Sequence, residues 1–205
     1  MPAQSLETDG FVLLKRPPAD SFQTFTLFSP GHGSLLALQR ISRKSGATTS
    51  ALDLFDEAAF ILESSNQGRT WFVKEARLIA RPSGIGRSYD ALRFASTLTA
   101  LIARNPVHED SRAAVATLLR TAFGALAAGV RPDVVYFKSL YCFARDEGYP
   151  LKQQWFPTLP PGDRATVATL LNRPLAEQSA APTDVIRLQR RLEEYLRGET
   201  EILLE

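Results

Sequence analysis

The sequence predicts an α+β fold: an N-terminal five-stranded barrel over residues 1–81, then an all-α domain over residues 82–205. Two observations carry this. In the first eighty residues, short apolar runs are separated by turn-forming residues. Beyond Arg81-Pro82-Ser83-Gly84 the apolar spacing becomes helical. A length of 205 residues accommodates two small domains, each with its own core.

The strands follow in order. Residues 11–16 form an apolar run closed by Pro17-Pro18. Residues 21–28 alternate Phe and Thr, both strand formers, and stop at Ser29-Pro30-Gly31. Residues 35–41 make a third run after Gly33, and residues 58–62 a fourth, closed by the turn-rich stretch 64–68. Thr70-Trp71-Phe72-Val73 opens a fifth that extends toward Ala80. Residues 52–55 fit either a longer fourth strand or a loop. Five short strands with turn chemistry between them predict a small barrel.

The helices are marked by spacing and by their ends. Leu92, Ala95, Leu98 and Ile102 repeat at helical intervals, with Pro106 beyond. Val115, Leu118, Leu119, Ala122, Phe123 and Leu126 form a stripe that Asp110 or Ser111 can cap and Gly129 can end. A third helix opens on Pro132, suited to a first helical position, and is apolar almost all round through Phe143, which predicts a central place in a bundle. Gly148 and Pro150 stop it. A shorter helix over 163–171 and an amphipathic one over 184–197 complete the set.

Composition excludes several classes. No run of 18 apolar residues is present, so no membrane span is expected. Residues 1–9 are polar and carry Glu7 and Asp9, unlike a secretory leader, and a cytoplasmic location is expected. The single cysteine, Cys142, allows no internal disulfide, and with His32 and His108 far apart no metal site and no cofactor are expected. Cys142 lies in the apolar helix with no nearby histidine and reads as a buried thiol. His108 reads as a capping or solvent-facing residue. No paired acids, Ser-His-Asp order or nucleotide loop is present, so the reading is not that of an enzyme.

Charge is informative only locally. The net charge of +2 announces nothing, and the first eighty residues carry as many acids as bases. Between residues 10 and 50, however, Lys15, Arg16, Arg40, Arg43 and Lys44 face only Asp20 as an acid. Such a patch attracts phosphates through counterion release without reading base sequence, and an ordinary solvated loop is the competing reading. His32 sits in Gly31-His32-Gly33, a hairpin turn rather than a phosphate loop, since no helix follows. Among Phe22, Phe25, Phe28, Trp71 and Phe72 most rings are expected to fill the barrel. Strand alternation allows at most one of Trp71 and Phe72 to point outward. On the last helix, Arg187, Arg190 and Arg191 read as a solvated face paired with Glu193 and Glu194.

Taken in order, these elements resemble the RecO family of recombination mediators. The resemblance rests on the opening strand 11–16, the second strand 22–28, the Gly31-His32-Gly33 turn and the basic stretch Arg40-Ile41-Ser42-Arg43-Lys44-Ser45. It continues with the apolar helix that ends Gly148-Tyr149-Pro150, and with Leu192-Glu193-Glu194-Tyr195-Leu196 near the chain end. Residues 17–20, Ser34 and Ile41 depart from the family pattern. Residues 152–161 hold no cysteine, so this chain lacks the zinc module that many members place there.

The resemblance implies an OB-fold barrel that grips DNA through Lys15, Arg16, His32, Arg40, Arg43 and Lys44. It implies binding of single- and double-stranded DNA, strand annealing and recombinase loading in DNA repair, at the nucleoid. Its implied partners are RecR and the acidic tail of the single-stranded-DNA-binding protein. For that tail, Arg120 and Lys138 are weak candidates in the helical domain. Two other classes remain open. One is an enzyme with a helical catalytic domain and a regulatory OB module. The other is an RNA-binding OB-fold protein, which these residues do not separate from a DNA-binding one.

Overall fold

The computed structural model describes residues 4–41, 51–64 and 67–204. Five strands, β1 (Gln4–Lys15), β2 (Phe22–Ser29), β3 (Gly33–Arg40), β4 (Glu57–Ser64) and β5 (Trp71–Ala80), precede five α-helices. The strands close into a barrel in the order β1-β2-β3-β5-β4. All pairings are antiparallel except β3 with β5, which run parallel where Ala37 meets Trp71 and Leu38 meets Phe72. This is the expected OB-fold barrel followed by helices.

Alternation along the strands fills the barrel. Phe25 and Leu27 of β2, Ala37 of β3, Ala58, Phe60 and Leu62 of β4, and Trp71 and Ala76 of β5 share one core with Val12. Removing one such large side chain from water contributes about 1.5–3 kcal/mol. Strand β1 begins seven residues earlier than its apolar run, because Gln4 to Phe11 pair continuously with β4 from Ser64 to Glu57. A polar segment becomes a strand there because the partner supplies the ladder. At Gly10 a Cβ would come within 2.9 Å of the Phe28 carbonyl oxygen, so this crossing of β1 and β2 requires glycine.

Residues 52–55 form a turn rather than a strand extension. Leu52 is buried in the barrel core, and the segment is tied to β1 by Phe55 N–H to Val12 O at 3.0 Å and Val12 N–H to Asp56 O at 2.8 Å. Asp56 is fully buried. It accepts Arg81 Nε at 2.8 Å and Nη2 at 2.6 Å, and the Asp53 N–H at 2.7 Å, while Arg81 Nη2 also donates to Ala51 O at 2.7 Å. One arginine at the end of β5 therefore anchors the loop that seats Leu52.

The helices are α1 (Tyr89–Arg104), α2 (Arg112–Ala127), α3 (Pro132–Asp146), α4 (Pro161–Asn172) and α5 (Pro182–Glu199). Two compact units result: Met1–Pro82 with Ile102–Ala116, and Ser83–Leu101 with Thr117–Glu205. In the second unit α3 packs on both α4 and α5 and is buried along nearly its whole length from Val134 to Ala144. Its end is a Schellman motif: Gly148, at φ +90°, donates to Arg145 O at 3.0 Å, and Tyr149 N–H donates to Ala144 O at 3.1 Å. Gly129 ends α2 in the same way. Arg187 and Arg191 of α5 converge on the buried Asp163 of α4 at 2.6 and 3.2 Å, and Arg187 also meets Asp184 at 2.9 Å. The arginines of the last helix thus hold α5 to α4. For Arg187 and Arg191, Asp163 in the first turn of α4 stands in place of the expected Glu193 and Glu194. Among the described residues no helix is long and apolar enough to cross a membrane.

Candidate nucleic-acid interface

Strand register decides which of the basic residues share a face. Arg40 lies directly across from Phe22 in the β2–β3 pair. The Arg16 N–H donates to Thr24 O at 3.0 Å, so Arg16 continues the β1–β2 pairing beside the same end of β2. The buried Gln23 side chain fixes this corner by donating to the carbonyls of Arg16 and Thr24. Arg16 and Arg40 are both exposed, and among the described residues neither is in an ion pair.

The other expected residues divide differently. Lys15 is held by Asp53 at 3.2 Å and by Leu52 O at 3.3 Å, so its charge is largely neutralised within the loop. Partial burial raises the Asp53 carboxyl, but the Leu54 N–H and the Lys15 ammonium outweigh it and hold this group below the ordinary aspartate range. His32 lies at the opposite end of the hairpin, exposed on the turn between β2 and β3. At about 3.3 Å per strand residue, the length of β3 places it roughly 25 Å along the strand from Arg40. It does not join the arginine pair. The turn is built by Ser29 Oγ, which accepts the N–H groups of Gly31 and His32 at 3.2 Å. Arg112 braces it by donating to Gly31 O at 3.3 Å, its Nε lying 3.2 Å from where a Cβ on Gly33 would sit. Arg43 and Lys44 lie outside the described residues.

An apolar strip crosses the outward face of β2, β3 and β5, with Thr24 and Thr26 beside its leucines. Trp71 is in the core and Phe72 points outward at 36% exposure, as alternation requires. Phe22 meets Phe72 edge-on, with ring centroids 5.9 Å apart at 67°. Leu38 lies beside Phe72 in register, and Leu36 is 38% exposed. Sequence reasoning missed the two leucines, yet a signal was present. Residues 35–38 read Leu-Leu-Ala-Leu, apolar on both faces of a strand whose barrel can bury only one.

No model of a known protein family matches the chain, and a search of curated proteins gives no match.

In the helical unit, Lys138 donates to Arg173 O at 3.0 Å, capping the C-terminal end of α4, and burial pushes its ammonium below the usual lysine range. Arg120 is exposed on α2. His108 stands before a 3-10 turn, its carbonyl accepting the Ser111 N–H at 3.0 Å. Among the described residues no group of three His, Cys, Asp or Glu side chains is placed to hold a metal ion. Cys142 is half-buried rather than buried as expected, and this partial burial pushes its thiol up, beyond what Arg145 and Lys138 lower. A raised thiol carries little thiolate near neutrality. Native protein at pH 8 is therefore expected to react with iodoacetamide several-fold more slowly than urea-unfolded protein. Equal rates, read by intact mass, would contradict the burial.

Proposed function

We propose that the chain is a non-enzymatic DNA-binding protein of the recombination-mediator kind, which grips phosphate backbones at one end of its barrel. The observation that carries this is the pair Arg16 and Arg40, exposed at one corner of an OB-fold and without an ion pair among the described residues. OB-folds bind oligonucleotides on the face of strands 2 and 3 and on the adjoining loops, and Arg40 lies on that face. The order of sequence motifs that resembles the RecO family supports a role in annealing and recombinase loading. By the same resemblance, RecR and the tail of the single-stranded-DNA-binding protein are the proposed partners. No bond is made or broken in such a role. Cations lower the repulsion between two backbones, and base pairing between the strands supplies specificity.

The test is fluorescence anisotropy of labelled oligonucleotides across a salt series. The double variant Arg16→Ala, Arg40→Ala is expected to weaken binding to all base sequences alike. Its log-log salt slope should become shallower by about 1.4–1.8, since each lost phosphate contact contributes roughly 0.7–0.9. An unchanged slope in the folded variant removes these two residues from the interface. Absence of DNA binding by the unaltered protein at low salt removes the reading altogether.

A further inference from the structure

We infer that the barrel divides its ligand between two surfaces: the arginine corner takes phosphates of any nucleic acid, and the Phe22–Phe72 face engages the bases of single strands only. This rests on the nucleic-acid reading above and deepens it. Phe22, Leu36, Leu38 and Phe72 form an outward apolar strip across three strands, with Arg40 at its end and Arg16 beside it. Positive charge therefore stands at one end of the strip, which suits a polyanion, while Glu63, across from Phe72 on β4, is paired with Lys74 at 2.7 Å. The centre of the strip is uncharged and aromatic, which suits unstacked bases. In a duplex the π faces of the bases are already stacked on one another, and only phosphates and base edges are presented. A single strand offers both a phosphate for the arginines and a free ring for Phe72, and such base–aromatic stacking is tolerant of base identity.

The edge-on pair places Phe22 as the support of Phe72. Phe22 is half-buried, while Phe72 is the more exposed ring. Phe72 is therefore assigned to the contact and Phe22 to its positioning. Asp20, on the turn before β2, is the single acid between residues 10 and 50 and limits the positive field at this corner.

The test compares a 20-nucleotide oligo-dT with a duplex of equal length, using the full-length chain. Phe72→Ala is expected to weaken oligo-dT binding by about 5- to 150-fold, the range for loss of one stacked base. Duplex affinity should stay within about twofold, and Phe72→Tyr should retain most single-strand affinity. Ile79→Ala, which alters another exposed apolar side chain of β5, should change neither. Circular dichroism establishes that the variants are folded. Equal loss on both ligands, or no loss on either while the unaltered protein binds, overturns the division of surfaces and leaves the phosphate reading standing. Failure of the unaltered protein to bind either ligand ends both. Were the strip instead covered by a second copy of the chain, Phe72→Ala would change sedimentation and leave oligo-dT affinity intact, which also overturns the inference.

Discussion

Trp71→Ala is expected to destabilise the barrel unit by about 3–5 kcal/mol, a large share of what a small domain possesses. Trp71 belongs to the barrel core, sits where β5 pairs with both β3 and β4, and lies against Gly68, where a Cβ would come within 3.3 Å of its ring. Truncation leaves a cavity at the one place where the parallel pairing closes the barrel. Trp71→Phe is expected to cost less than about 1.5 kcal/mol. The reason is that Trp71 Nε1 is buried without a hydrogen-bond partner among the described residues, so removing it abolishes an unmet donor. Urea denaturation followed by circular dichroism reads both values. A Trp71→Ala variant within 1 kcal/mol of the parent would falsify the core assignment. The neighbouring Phe72→Ala, by contrast, should cost clearly less, because that ring is outside the core, 36% exposed, and loses an edge contact with Phe22.

Arg81→Ala is expected to cost about 2–3 kcal/mol. Its side chain is 43% exposed, but the carboxylate it holds is fully buried. Losing the cation leaves Asp56 charged and desolvated, for which breaking a buried pair costs about 3–5 kcal/mol, and the partial exposure of Arg81 reduces that. The loss should spread to Leu52, since Arg81 also holds Ala51 O. The hydrogen bond and charge of Asp56 raise the Arg81 pKa above its ordinary value, against a smaller effect of burial. A cation whose pKa is raised in the folded state contributes fully below its unfolded pKa, which for arginine lies far above neutrality. No loss from Arg81 deprotonation is therefore expected as the pH rises from 6 to 10. Urea midpoints of parent and variant at pH 6, 8 and 10 provide the measurement. A difference that vanished by pH 10 would contradict this assignment of charge. Trp71 fluorescence reports the barrel unit and Trp155 the helical one, so a Trp155→Phe background isolates the transition of interest.

The strands that could be read beforehand were those with their own apolar signature. Residues 22–28 announce β2 through Phe and Thr, and residues 58–62 announce β4 through an unbroken apolar run. The first half of β1 is illegible because Gln4, Ser5, Glu7 and Asp9 have no strand pattern and become extended only against β4. The closure of β3 on β5 is illegible for a similar reason, being a short parallel contact between segments over thirty residues apart. At the interface, the cluster of five cations was visible as a count of charge. Its division was not, because Lys15 is neutralised by an aspartate 38 residues further on, and strand length carries His32 away from Arg40. Alternation allowed only one of Trp71 and Phe72 to point outward, and the register along β5 made it Phe72.

The barrel unit is discontinuous, since Ile102–Ala116 belongs to it although Ser83–Leu101 does not. This gives its assembly an order in time. When Pro82 has just been added all five strands have been synthesised, yet Arg112, the brace of the Gly31–Gly33 turn, has still to be translated. At about 5–20 residues per second, the interval before Ala116 is added is roughly 2–7 s. During it the hairpin of β2 and β3, which carries Phe22 and Arg40, has no clamp at its far end. The nascent barrel is therefore expected to mature late, after α1 has emerged, and a fragment cut at Pro82 corresponds to that waiting state rather than to the finished unit.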